Sequence, residues 1–158
     1  MPRVELRDIV TDEDRAAVLG LRRGPGQDRY LGSMESHFED AAAEPRAMPR
    51  MWSVHDSNQL VGFAMISDNI EHLDEDLVGP YYLWRLLIDE RFQARGYGTA
   101  TIDAIVEYLR TRPRADVLFT SCAAGEGSPQ GFYLRYGFVS TGEVKWGEDI
   151  LALDLRRE

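Results

Sequence analysis

The chain has 158 residues, enough for one substantial core, and its 44% hydrophobic, 10% aromatic and 28% charged residues are the balance of an ordinary soluble domain. Eighteen basic against 27 acidic residues leave a formal charge of −9, a poor surface for the phosphate contacts that dominate nucleic-acid affinity and a better one for cationic partners. No apolar run approaches the ~18 residues of a membrane span. The first ten residues carry no secretion signal, and the lone Cys122 excludes an internal disulfide. The expectation is a single cytoplasmic domain over residues 1–158 with neither membrane nor nucleic acid as partner.

Taken in chain order, "VELRDIV" alternates as a first strand, marked by Val4, Leu6 and Ile9. Thr11 with Asp14 three residues on has the form of a capping box opening a helix through "DRAAVLGLRR", which "GPGQ" at 24–27 stops. "SMESHFEDAAAE" predicts a second helix capped by Ser33 or Ser36, and "RMWSVH" with "LVGFAMIS" predicts a hairpin joined by the four residues "DSNQ". The run "YYLWRLLI" at 81–88 is too continuously apolar for a half-exposed strand, so it reads as a central strand covered on both faces.

Ile102, Ile105, Val106 and Leu109 then recur at helical spacing, with Asp103, Glu107 and Arg110 on the other side and Pro113 beyond. "DVLFTSC" predicts another buried strand, "PQGFYLRYG" a short helix, and "FVST" with "DILALDL" a closing antiparallel pair. The expected fold is α/β, a single mixed and mostly antiparallel sheet flanked by helices in the order β-α-α-β-β-β-α-β-α-β-β.

"QARGYGTA", residues 93–100, lies where the central strand hands over to the amphipathic helix. A helix start leaves backbone N–H groups unpaired with the positive dipole end behind them, and anions bind there. Gly96 and Gly98 leave room for a phosphate and allow positive φ, while Gln93, Arg91 and Arg95 offer donors or charge. The nucleotide loop GxxxxGK[ST] is absent. The dinucleotide pattern GxGxxG begins with Gly96 and Gly98 and has Asp116 in place for a ribose, but Thr101 replaces its third glycine and an antiparallel hairpin precedes the loop.

Gln93, Gly96 and Gly98 after a buried fourth strand, followed by "FYLRYGF", resemble the GNAT superfamily of N-acetyltransferases, and the element order is that family's order. The resemblance implies that the loop, Gln93, Ala94, Arg95, Gly96, Tyr97, Gly98 and Thr99, holds the pyrophosphate of acetyl-coenzyme A. It implies that backbone groups of Leu86, Leu87 and Ile88 hold the oxyanion where the central strand splays from its neighbour, and that Tyr133 stands beside the sulfur as the catalytic acid. Packing beside Phe132 and Phe138 is the alternative reading of Tyr133. The asparagine that many members carry seven residues before the tyrosine is replaced by Glu126. In the animal polyamine acetyltransferases an acid occupies the central strand where Trp84 stands, so the resemblance supplies no general base; Arg85 needs a carboxylate or carbonyl partner.

The text around both motifs is most similar to the bacterial spermine/spermidine acetyltransferases. That implies a polyamine, a small-molecule amine, as acceptor and a homodimer as the assembly. Asp28, Glu35, Glu39 and Asp40, and Glu143, Glu148 and Asp149 on the last hairpin, are the candidate acceptor acids, with "EHLDED" as a further acidic loop. An acetyltransferase for another amine (an amino acid, an aminoglycoside or a protein N-terminus) and a non-catalytic coenzyme A-binding module remain the alternatives. His37, His55 and His72 lack zinc spacing, so no metal is expected, and Cys122 reads as a core thiol.

Overall fold

A computed structural model describes residues 2–25, 27 and 31–156. Its strands are β1 (Glu5–Asp8), β2 (Pro49–Asp56), β3 (Gln59–Asp68), β4 (Tyr81–Ile88), β5 (Val117–Cys122), β6 (Val139–Lys145) and β7 (Glu148–Asp154). Its helices are α1 (Asp12–Leu19), α2 (Met34–Ala43), α3 (Tyr97–Leu109) and α4 (Gln130–Tyr136). The strands form one sheet in the order β1-β2-β3-β4-β5-β7-β6. Every neighbouring pair is antiparallel except β4 with β5. The mixed architecture and the element order are those expected.

Local chemistry accounts for the helix starts. Thr11 accepts the Asp14 N–H while the Asp14 carboxylate accepts the Thr11 N–H, closing the capping box. Of the two serines, Ser33 is the cap of α2, accepting from the Ser36 N–H at 3.2 Å. Several boundaries differ from expectation, among them β6, which runs to Lys145 rather than ending with "FVST" at Thr141. Helix α1 ends at Gly20 rather than at 24–27, because glycine readily ends a helix before the "GPGQ" breakers are reached. β1 ends at Asp8, so Ile9 is buried outside the strand. The first hairpin has a two-residue turn, since Asp56 pairs with Gln59 and Ser57 takes φ 55°.

The sheet carries a core on each face. On one side Ile102, Ile105, Val106 and Leu109 of α3 pack with Tyr81, Leu83, Ile66 and Leu118; each such side chain stabilises by ~1.5–3 kcal/mol when fully buried. On the other, Val18 of α1 and Met34 and Ala41 of α2 cover Phe63, Met65 and Leu87. The uniform apolarity of β4 hides a switch between these cores. Ile66 pairs with Leu83 and Met65 with Arg85, so Trp84 is an inserted bulge residue. A single extra residue reverses which side chains face which side: Tyr81 and Leu83 lie in the α3-side core, whereas Leu87 lies in the opposite one and Leu86 and Ile88 join the first.

Pairing between β4 and β5 covers only Tyr82 with Phe119 and Leu83 with Thr120, ending at that bulge. β4 itself runs on to Ile88 along β3. The two strands therefore part, and the segment Leu86 to Ile88 has no partner strand on its β5 side among the described residues.

The end of β4 is pinned by Asp89, which is fully buried. Its carboxylate accepts the backbone N–H groups of Arg22 at 3.0 Å and Arg91 at 2.9 Å and the Arg91 Nε–H at 2.8 Å. Burial works against its charge, yet the Arg91 side chain and the two backbone donors outweigh that and hold the carboxyl below the ordinary range. A depressed carboxyl contributes stability that is complete above the unfolded value and lost as pH falls through the folded one. Asp89→Asn is expected to cost ~2 kcal/mol at pH 7, and the gap to wild type in denaturant titrations should close as the pH is lowered through the carboxyl range. A gap that persists at low pH would contradict this account of the ion's role.

Candidate active site

The parting of β4 and β5 opens into a cleft of about 890 Å³. Three elements meet at one end of it. The first is the start of α3, where Gly96 is the N-cap at φ 88° and offers no side-chain cap. The first intrahelical bond is the Ala100 N–H to the Gly96 carbonyl at 3.0 Å, so the N–H groups of Tyr97, Gly98 and Thr99 are available to an anion. The second is β4 beyond its bulge, contributing Leu86 and Ile88, and the third is α4, contributing Phe132 and Tyr133.

The loop residues divide by role. Left-handed backbone falls on Ala94 at φ 61° and on Gly96. Gly98 is already helical, and a Cβ there would meet the Phe132 ring at 3.1 Å. Its bareness thus serves the packing of α4 on α3, not a turn, which corrects the reading of positive φ at that glycine. The Gln93 amide is committed to the protein, donating to the Ile88 carbonyl at 2.9 Å and to Gln27 Oε1 at 3.0 Å. Arg95 is exposed, 5.8 Å over the Phe92 ring, and Arg91 is held by Asp89. Of the predicted site residues, Leu86, Ile88, Gln93, Ala94, Gly96, Tyr97, Gly98, Thr99 and Tyr133 line the cleft, whereas Leu87 lies in the opposite core and Arg95 stands outside the wall.

Tyr133 is both a core and a cleft residue. Its ring lies 5.5 Å from that of Phe132 and 5.4 Å from that of Phe138, and its exposure is 7%. Burial pushes the phenol well above its ordinary value, the nearby Cys122 adds to this, and a hydrogen bond with Thr120 pulls weakly back. It is therefore a protonated hydroxyl at any working pH. Cys122, also in the wall, is pushed up to about 11 by burial and by Asp149 and Glu148, so it too stays protonated.

The other end of the cleft is acidic and aromatic. Glu148, Asp76 and Glu44 line it with Tyr82, Ser121 and Trp146. Of the candidate acids only Glu148 is in this wall: Asp40 is bound to Arg85 at 3.0 Å, Asp149 accepts from Gln130 at 3.0 Å, and Glu35, Glu39 and Glu143 lie elsewhere. Asp28 lies outside the described residues. Glu126 is not in the wall, although Gly127 is. Asp76 comes from the "EHLDED" loop, whose charge in sequence is indistinguishable from ordinary surface. Glu44 ends α2 and is paired with Arg46 at 2.9 Å. Among the described residues no group of three or more His, Cys, Asp and Glu could hold a metal ion, and no helix is long and apolar enough to cross a membrane.

Arg85 finds three partners. Its Nη2 donates to Asp40, its Nη1 to the Trp84 carbonyl at 2.8 Å, and its Nε to His37 Nδ1 at 3.2 Å. His37 is fully buried and stacked on Phe63 at 5.6 Å. Burial, then the Arg85 charge, lower its pKa from 6.5 to about 4. A second ring proton would have to sit at Nδ1, directly against the guanidinium.

Residues 7–138 match the model of the Acetyltransferase (GNAT) family. The chain is 30% identical over 147 residues to spermine/spermidine N(1)-acetyltransferase of Bacillus subtilis, covering 92% of this chain and 95% of that protein. Among solved structures it is similar to aminoglycoside acetyltransferase AAC(6')-Ib in complex with coenzyme A, with a TM-score of 0.74 and 18% identity over 96% of this chain and 94% of that one. It is also similar to a chimera of spermidine N-acetyltransferase SpeG from Vibrio cholerae and hSSAT, with a TM-score of 0.64 and 16% identity over 97% and 96% of the two chains.

The His37 environment makes stability depend on pH. An unfolded chain takes up a proton near 6.5 whereas the folded one waits until about 4, so stability falls as pH drops through that window, by on the order of 3 kcal/mol. His37→Gln takes up no proton, so the stability advantage of wild type over this variant should shrink between pH 7 and pH 4. An advantage that stays constant would show that His37 is not held neutral.

Proposed function

The chain belongs to the acetyltransferase (GNAT) family and is an N-acetyltransferase, and on that premise we propose that it passes an acetyl group directly from acetyl-coenzyme A to a primary amine of a polyamine such as spermidine or spermine. The observation that carries this reading is one continuous cleft with an uncapped helix start and unpaired strand amides at one end and carboxylates at the other. The first end suits a pyrophosphate and a thioester; the second suits a cation.

The donor fits the groups present. The N–H groups of Tyr97, Gly98 and Thr99 would hold the pyrophosphate, and Gly96 supplies the left-handed φ of 88° from which the helix starts. Acetyl-coenzyme A supplies an activated thioester carbonyl. As an amine attacks, negative charge grows on that carbonyl oxygen, and the backbone N–H groups of Leu86 to Ile88 that face the gap would stabilise it; one such donor is typically worth ~3–4 kcal/mol. Tyr133 would face the departing sulfur. With its phenol raised above the usual ~10 and a thiol near ~8.5, full proton transfer is uphill, so its role is to donate a hydrogen bond to the thiolate.

A polyamine carries several positive charges, and Asp76 stands along the acidic end to receive one that is not acetylated, Glu44 beside it being held by Arg46. Asp76 is exposed and screened, so each contact is modest. A small amino acid has no second cation to place there, which is why this reading is favoured over acetylation of a monoamine.

A thiol-release assay with acetyl-coenzyme A and a panel of amines tests the proposal. Saturable turnover with spermidine or spermine, faster than with monoamines, is expected. No turnover with any amine, while acetyl-coenzyme A still raises Tm, would favour a non-catalytic binding module. Asp76→Asn should raise KM for spermidine by about two- to five-fold with kcat intact. Tyr133→Phe should lower kcat by roughly 10²-fold; an unchanged kcat would remove Tyr133 from the chemistry.

A further inference from the structure

We propose that the proton surrendered by the acceptor amine leaves through a directed hydroxyl chain, Tyr82 to Ser121 to Glu148, whose sink is the Glu148 carboxylate; this rests on the amine-acetylation reading above. The need is chemical. An alkylammonium with a pKa of ~10.4 is neutral in about one molecule in 2,500 at pH 7, and the central strand offers Trp84 and Arg85 where a base would be useful.

The three residues come from adjacent strands β4, β5 and β7 and all line the cleft. The Ser121 hydroxyl donates to Glu148 Oε1 at 2.9 Å. A serine has one proton, so in its 2.5 Å contact with Tyr82 the phenol must be the donor. That fixes the direction of the chain and leaves the phenol oxygen's lone pairs for a donor arriving from the cleft. Trp146 stands edge-on to Tyr82 with ring centroids 6.5 Å apart, giving an approaching cation a second aromatic surface.

The transfer balances. One N–H bond of the ammonium breaks as the Tyr82 oxygen takes the proton, the Tyr82 proton passes to Ser121 Oγ, and the Ser121 proton passes to Glu148. Each hydroxyl ends with the one proton it began with. Ammonium and carboxylate become neutral amine and carboxylic acid, and nothing is oxidised or reduced. The transfer is uphill, because a carboxylate is a far weaker base than an alkylamine, and it is drawn forward as acetylation consumes the neutral amine. No free phenolate forms, in keeping with the burial that raises the Tyr82 phenol above its ordinary value. Glu148 faces Ser121 and Cys122 from β5, Tyr82 from β4, its register partner Lys145 on β6 and the adjacent Asp149, while Arg85 and Cys122 also act on the Tyr82 phenol.

Thiol release with spermidine is measured from pH 6.5 to 9.5 for wild type, Tyr82→Phe, Ser121→Ala, Ser121→Thr and Glu148→Gln. Wild-type kcat/KM for the amine is expected to vary little between pH 7 and 9. Tyr82→Phe, Ser121→Ala and Glu148→Gln are each expected to lose ~10²-fold in kcat/KM at pH 7, with KM for acetyl-coenzyme A unchanged. Their rates should climb by about tenfold per pH unit as free amine accumulates, so the deficit narrows at high pH. Ser121→Thr keeps the hydroxyl and should retain the wild-type profile, which separates the relay from a folding defect. A deficit that is independent of pH, one confined to KM for the amine, or none at all would overturn the relay while leaving acetyl transfer standing. A wild-type protein that acetylates no amine would overturn the parent reading and this one with it.

Discussion

The inserted residue Trp84 in β4 is the constraint on which the rest of the structure depends. Up to Leu83 the strand is an ordinary member of the sheet, paired on both sides. At Trp84 the pairing with β3 slips by one and the pairing with β5 stops. A bulge increases local twist and bends its strand, so β4 continues along β3 while β5 diverges. Without that divergence the amides of Leu86 to Ile88 would be tied up in a ladder and the cleft would be closed by backbone.

The same residue decides which side chains reach the cleft from each face. Before the bulge Tyr82 points away from the α3-side core and stands beside Ser121; after it Leu86 and Ile88 pack against that core. The gap thus connects two chemically different regions. On the α3 side lie an uncapped helix start and the protonated Tyr133; on the α2 side lie Glu44, Asp76 and Glu148. Asp89 secures the junction by gathering donors from the segment after α1 and from the turn after β4. Arg85 is another brace: its donors fasten α2 to the strand, so the cation in the cleft wall is neutralised by Asp40 and does not repel a cationic acceptor.

Much of the fold was legible because its signals are local. The capping box at Thr11, the helical recurrence of Ile102, Ile105, Val106 and Leu109, and the glycine loop each need only a short window. The order of elements followed from them. The bulge was not legible, because "YYLWRLLI" offers no polar residue whose misplacement would reveal a change of face; only the pairing of Ile66 and Met65 with Leu83 and Arg85 exposes it. Gly98 was misread for a related reason: two glycines in one loop look alike, yet one sets φ and the other makes room for Phe132. The acidic end was hardest. Asp76 is one of several acids in a polar loop, and Tyr82, Ser121 and Glu148 are separated by 39 and 27 residues, so their meeting depends on the sheet order.

Amide hydrogen exchange by NMR, with and without coenzyme A, tests most directly whether the gap between β4 and β5 holds the donor. The account predicts that the amides of Leu86 to Ile88 that face the gap exchange readily in the free protein, and that they and those of Tyr97, Gly98 and Thr99 become protected together when coenzyme A is added. Strong protection of Leu86 to Ile88 throughout in the free protein, or protection by coenzyme A confined to another surface, would contradict it.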